Sequence, residues 1–310
     1  MRSAFQDVWI LTGPTGSGKS ALGLELAARM NAEIVSMDSM ALYRGMDVGT
    51  AKPSVYERQL VPHHLIDVLD PWESASVAWW LERAADCCRD IQARGKRPLF
   101  VGGTPLYLKA LLYGLFDGPP ADGHLRERLS REAQTAGKQA LHDRLSEVDA
   151  ATAARLHPND IRRVIRALEV WELTGRPISS WQEQWKVKSQ RSKVKSEYRC
   201  LCLDMPRTEL YARIDARVEA MFAAGFIDEA RRLLNLPSPL SREAAQALGY
   251  KEVFDLLGGH TTLSETVRRI QVRSRHFAKR QLAWFRHLPE CRFVAKQLTF
   301  GLWELTIAHS

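Results

Sequence analysis

The chain has 310 residues, is 45% hydrophobic and carries a net charge of +8, enough to fill the core of one large or two modest globular domains. No stretch approaches the run of about 20 apolar residues that spans a bilayer, and Met1 to Asp7 contains no secretory apolar region, so a cytoplasmic protein without a membrane partner is expected. The five cysteines include Cys87-Cys88 and Cys200-x-Cys202, neither with zinc-knuckle or redox-pair spacing, and read as buried free thiols.

The first predicted strand, Val8 to Thr12, runs into Gly13-Pro14-Thr15-Gly16-Ser17-Gly18-Lys19-Ser20, which fits the phosphate-cradling pattern GxxxxGK[ST]. Glycines there let backbone N–H groups turn toward a phosphate, and a helix predicted over Ser20 to Met30 adds the positive end of its dipole. Lys19 would neutralise phosphate charge and Ser20 would hold Mg²⁺. The loop alone leaves the phosphate compound open. Further strands are predicted at Glu33 to Asp38, His64 to Val68, Pro98 to Val101 and Arg199 to Asp204, with a helix over Ser76 to Arg94 closed by Gly95.

From Asp122 to Trp185 only helices are expected, among them Asp160 to Thr174 ended by Gly175. The pattern predicts an α/β fold, a P-loop NTPase-like parallel sheet core flanked by helices, with an all-helical insertion domain. Residues 1–118 and 198–310 form the core, and residues 119–197 form the insertion, which ends in a polar stretch at Lys186 to Lys195. Ligand is expected at the carboxyl edge of the sheet. Asp38 would stand there as Mg²⁺ ligand, general base or turn former, and Gly102-Gly103-Thr104 as a close backbone approach with a hydroxyl donor or helix cap.

Charge is concentrated. Arg155 to Arg199 carries +6 and Arg268 to Arg292 carries +7, leaving −5 for the remainder. Two basic regions on an acidic body suggest a polyanion larger than a mononucleotide. On a long helix predicted over Ser264 to Leu288, Arg268, Arg275, Lys279 and Arg286 fall within about 20° of one line, opposite Ile270, Phe277, Trp284 and Leu288. Such a ladder suits a phosphate backbone, and Arg162, Arg163 and Arg166 make a shorter one.

In order, Gly13 to Ser20, Asp38-Ser39-Met40-Ala41-Leu42-Tyr43-Arg44-Gly45 through Lys52-Pro53, Gly102-Gly103-Thr104-Pro105-Leu106-Tyr107, His157-Pro158-Asn159-Asp160, Arg213 to Val218, Gly249-Tyr250-Lys251-Glu252 and Ala278-Lys279-Arg280-Gln281 with Trp284-Phe285-Arg286 resemble the tRNA dimethylallyltransferase family in its bacterial form. The resemblance covers nearly the whole chain. It implies transfer of a dimethylallyl group from dimethylallyl diphosphate to N6 of the adenosine 3′ of the anticodon, with diphosphate released and the tRNA anticodon stem-loop as partner. It implies Asp38 as general base, Thr104 positioning the reacting groups, and Lys19 and Arg217 stabilising the leaving diphosphate held by Gly13 to Ser20. RNA contacts are expected from Asp38 to Ala41, Thr104, Arg126, Arg162, Arg163, Arg166, Gln246, Gly249, Tyr250, Lys251, Lys279, Arg280, Gln281, Trp284 and Arg286, on a protein expected to be monomeric.

Ala41, Ser274 and Ala283 depart from the family pattern, and Ala41 places one polar contact near the target nucleotide in question. The competing reading is a phosphate-loop kinase of a nucleotide or small metabolite, which would use Asp38 as base and leave the second cationic region idle.

Overall fold

Among the described residues, six parallel strands order as β3-β2-β4-β1-β5-β6: β1 (Trp9–Thr12), β2 (Ala32–Ser36), β3 (His63–His64), β4 (Arg97–Gly102), β5 (Cys200–Asp204) and β6 (Arg292–Ala295). The computed structural model describes residues 2–5, 8–115, 118–182 and 200–295. The expected polar stretch Lys186 to Lys195 and the first residue of the expected strand at Arg199 lie outside them.

Every residue of β1 and β2 is buried, as a parallel sheet covered on both faces requires. On one face α1 (Lys19–Met30) lays Leu22, Leu26, Ala27 and Met30 against Trp9, Leu11, Leu99, Val101 and Leu201. Gly23 allows this approach, since a Cβ there would lie 2.9 Å from Val101 Cγ2. On the other face α3 (Val77–Ala93) and α4 (Pro105–Tyr113) bring Trp80 and Tyr107 into a stack at 4.2 Å, with Phe100 edge-on to Trp80 at 6.1 Å. Ser76 caps α3, and Gly95 follows it at φ 70.

β3 is shorter than expected. Leu65 and Asp67 take positive φ, 59 and 55, which ends the extended run, and Asp67 turns to pair with Lys52 and Arg58. The unexpected β6 pairs Leu201 with Arg292 through Asp204 with Ala295, and buries only Val294, too little apolar signal to stand out in sequence. The cysteines are free; Cys87 is half-buried, the other four buried.

The chain divides into two compact units, Met1–Leu112 with Ser196–Ser310, and Tyr113–Lys195. The first unit also holds α2 (Val55–Leu60). In the second, α5 (Gly123–Thr135), α6 (Lys138–Val148), α7 (Ala150–Ala153) and α8 (Ile161–Thr174) enclose Leu129, Leu141, Leu145, Val164 and Leu168. Buried Glu169 of α8 accepts the Asp122 amide and Arg126, which tie α5 to α8, and also Arg166 of its own helix. Back in the first unit come α9 (Arg207–Ala223), α10 (Phe226–Leu234), α11 (Arg242–Ala245), α12 (Tyr250–Leu257) and α13 (Leu263–Arg286).

The buried stripe of α13 is Thr266, Ile270, Ser274, Ala278, Gln281 and Phe285, so small and polar side chains do much of the packing. Trp284, expected on the packed side, is 38% exposed with Lys109 Nζ 5.9 Å from its ring, and Phe277 is half-buried. Arg275 leaves the expected ladder to pair with Asp215 at 2.6 Å.

Candidate active site

The phosphate loop leaves central strand β1 and enters α1 with Gly16 and Gly18 at φ 83 and 86, which only glycine adopts cheaply. Gly18 caps α1 without a side-chain bond, so the first helical N–H groups remain for an anion. The neighbouring carboxyl ends carry Asp38 after β2 and Gly102-Gly103-Thr104 after β4. These two turns are laced together: Ser39 N–H donates to Thr104 Oγ1 at 3.1 Å, and Thr104 N–H to the Met37 carbonyl at 3.1 Å. A Cβ on Gly102 would stand 2.2 Å from that carbonyl oxygen, so glycine is obligatory there. Asp38 folds back to accept the Met40 N–H at 2.9 Å.

Together these loops open into a cavity of about 400 Å³ whose lining includes Thr15, Lys19, Ser20, Asp38 to Ala41, Thr104, Arg217, Gln246, Gly249, Arg280 and Gln281. Two of its cations come from different elements. Burial pushes the Lys19 ammonium down to about 8, a shift to which Arg217 adds and which Asp38 opposes. Burial likewise lowers Arg217, with Asp38 opposing. Arg217 donates to Thr15 Oγ1 at 3.0 Å and to the Thr50 carbonyl at 3.2 Å, while its buried Nε has no hydrogen-bond partner among the described residues. Two half-buried cations with an unsatisfied donor, beside an open helix N-terminus, make a site short of negative charge.

Several expected RNA contacts have other tasks. Gln281 is 3% exposed and bridges the phosphate loop to β4, accepting from Thr15 N–H at 2.8 Å and donating to the Gly103 carbonyl at 2.6 Å. Tyr250 is fully buried and donates to Glu229 at 2.7 Å; burial drives its phenol well above the usual range. Arg126 and Arg166 are held by Glu169 within the helical unit, and Arg163 pairs with Asp160. Polar residue type hides the burial of Gln281 and Tyr250, whereas Arg126 and Arg163 stay exposed within their ion pairs. Arg162, Lys251, Lys279 and Arg286 are exposed, with Lys251 paired to Asp255, and none of these lines the cavity. Absent from the expected site were Lys52, Glu229 and Phe226, all buried by contacts that only the folded chain creates.

A model of the IPP transferase family matches residues 41–288. The chain belongs to the IPP transferase family. A tRNA dimethylallyltransferase of Geobacter metallireducens is 46% identical over 287 residues, 92% of this chain and 91% of that protein. The crystal structure of a Bacillus halodurans tRNA isopentenylpyrophosphate transferase is 39% identical, with TM-score 0.67 over 97% of this chain and 94% of that one. A eukaryotic dimethylallyltransferase solved acting on tRNA is 28% identical, with TM-score 0.74 over 93% of this chain and 73% of that one. These IPP transferase likenesses support an enzyme of tRNA modification and not the kinase reading.

Proposed function

We propose that the cavity binds dimethylallyl diphosphate and transfers its five-carbon group to N6 of the adenosine 3′ of a tRNA anticodon. The observation that carries this is the pairing of Lys19 and Arg217, both with burial-lowered basicity, across from Asp38 at one sheet edge. A diphosphate entering there restores charge balance, with the loop Gly13 to Ser20 supplying backbone donors. Negative charge builds on the bridging oxygen as the C1–O bond breaks. A cradle already aimed at that oxygen stabilises the transition state more than the ground state.

The N6 lone pair forms the new bond to C1, diphosphate departs with the C1–O electron pair, and the N6 proton passes to Asp38. Thr104, whose Oγ1 accepts the Ser39 N–H, keeps a hydroxyl proton with which to orient the reacting groups. Mg²⁺ fits the donor set, since Ser20 and Asp38 offer hard oxygens and this ion completes its shell with phosphate oxygens and water. Ser20 would hold it, and the ion would neutralise phosphate charge when bound. The target base must leave its stack to reach the cavity, where Asp38 to Ala41 line the wall. Gln246, Gly249 and Arg280 also line that wall, while Arg162, Lys251, Lys279, Trp284 and Arg286 are exposed for the tRNA backbone. No helix among the described residues is long and apolar enough to cross a membrane.

Nucleoside analysis of tRNA incubated with the protein and dimethylallyl diphosphate tests this reading. The expected product is adenosine alkylated at N6, and unmodified tRNA after prolonged incubation would reject it.

A further inference from the structure

Between β2 and α2, residues 47–53 run beside the phosphate loop, and Gly49 to Pro53 line the cavity wall. The successive amides of Asp47, Val48 and Gly49 all donate to the carboxylate of Glu229, at 2.8, 2.8 and 3.0 Å, and the Tyr250 hydroxyl adds a fourth bond at 2.7 Å. Consecutive N–H groups turned the same way make a concave anion site. Here the protein's own carboxylate occupies it.

Glu229 is 1% exposed, and among the described residues no Lys or Arg pairs with it. Backbone dipoles, a phenol and the first turn of α10 therefore compensate its burial. The seat is shaped as well as charged. A Cβ on Gly49 would stand 2.2 Å from Phe226 and 2.6 Å from Tyr250, so only glycine brings the loop this close to α10 and α12.

Downstream of the seat, Ala51 takes φ 48, a left-handed conformation that a non-glycine residue keeps only when its surroundings enforce it. The enforcing contacts lie on both sides. Glu229 holds residues 47–49, and the buried Lys52 ammonium holds the far end through Asp47, Asp67 and the Tyr43 carbonyl. Thr50 sits between these anchors, and its carbonyl receives Arg217 Nη2 at 3.2 Å. The other arm of that guanidinium reaches Thr15 in the phosphate loop, and Nε stays unpartnered.

We propose that Glu229 is a positioning residue for the diphosphate site: it fixes the loop whose Thr50 carbonyl aims Arg217 at the departing diphosphate. The inference rests on the diphosphate reading above and adds to it a group that never touches substrate. A glutamine at this position places an NH₂ where an oxygen now accepts, setting donor against donor. The loop then shifts and Arg217 loses its aim.

A double-mutant cycle reads this directly, with inorganic diphosphate and Mg²⁺ as the calorimetric probe and thermal unfolding run beside it. Glu229→Gln is expected to weaken diphosphate binding about tenfold in the native background but less than about twofold in an Arg217→Lys background, where the forked contact to Thr50 is already gone. Its effect on the melting temperature should be the same in both backgrounds, because folding does not need Arg217 aimed. Tyr250→Phe, which removes one of the four donors and keeps the ring, should give a smaller loss with the same dependence on Arg217. Equal losses of affinity in both backgrounds, or no loss in the native one, overturn the inference. A native protein that fails to bind diphosphate at all overturns the diphosphate reading and this inference with it.

Discussion

Lys19 is the residue whose chemistry is most exposed to measurement. Its ammonium loses protons near pH 8 in the free site, against an ordinary value of 10.5, because burial disfavours the charge. Folding therefore bears the full penalty below pH 8 and is relieved of it as pH rises from 8 to 10.5, where the unfolded chain holds the proton and the native chain does not. A bound diphosphate reverses the preference. Binding is expected to take up a proton near pH 8 and to weaken above it, which calorimetry in buffers of different ionisation heat reads, and Lys19→Met should abolish the uptake. Asp38→Ala should slow single-turnover chemistry by about 10² to 10⁴ while tRNA affinity stays near native. An unchanged rate would remove Asp38 from the proton path. At this scale the phosphate-loop residues were legible because Gly16 and Gly18 meet a backbone demand that composition records. Gln281 and Tyr250 were not, since a glutamine among arginines and a tyrosine before a lysine look like surface until the fold buries them.

Elements carry the next set of constraints. Glu33 on β2 is fully buried and receives His64, Arg94 and Lys96 at 2.7 to 3.0 Å. Burial opposes its ionisation, but these hydrogen bonds outweigh that and hold the carboxyl at about 2, below its ordinary 4.5. The depressed value means a stabilisation fully present above pH 4.5 and lost as pH falls toward 2. Unfolding midpoints in urea should fall across that window, and Glu33→Gln should lower stability near neutrality while flattening the acid limb. At the end of β4, Gly102→Ala drives a methyl into the Met37 carbonyl and is expected to cost on the order of 3 kcal/mol or more, since backbone cannot yield as a side chain does. Helices α1, α3 and α8 were readable from their periodicity and closing signals. β6 buries a single side chain, β3 is cut short by backbone turned at Leu65, and the stripe of α13 is packed through Thr266, Ser274 and Gln281. Hydrophobic pattern registers none of these, because close helix contact there needs small or hydrogen-bonded residues rather than apolar ones.

At the scale of the whole molecule, the concentration of charge is legible in the sequence. The sequence predicts a helical insertion over 119–197, and one compact unit spans Tyr113–Lys195. Basic residues clustered in two segments of a chain of net charge +8 imply counterion release, so tRNA affinity should fall steeply with salt. Lys279→Ala is expected to reduce that salt slope by about one contact and to leave single-turnover chemistry at saturating tRNA near native. A slope indifferent to Lys279 would separate the exposed face of α13 from the RNA. The most direct measurement for the molecule as a whole is to supply dimethylallyl diphosphate labelled in its five-carbon group, with unmodified tRNA, in the presence and absence of ATP. Label should enter the RNA at the adenosine beside the anticodon, with one diphosphate released per group transferred and no effect of ATP. Unlabelled RNA, with ATP consumed and a small acceptor phosphorylated, would contradict the prenyl-transfer chemistry outright.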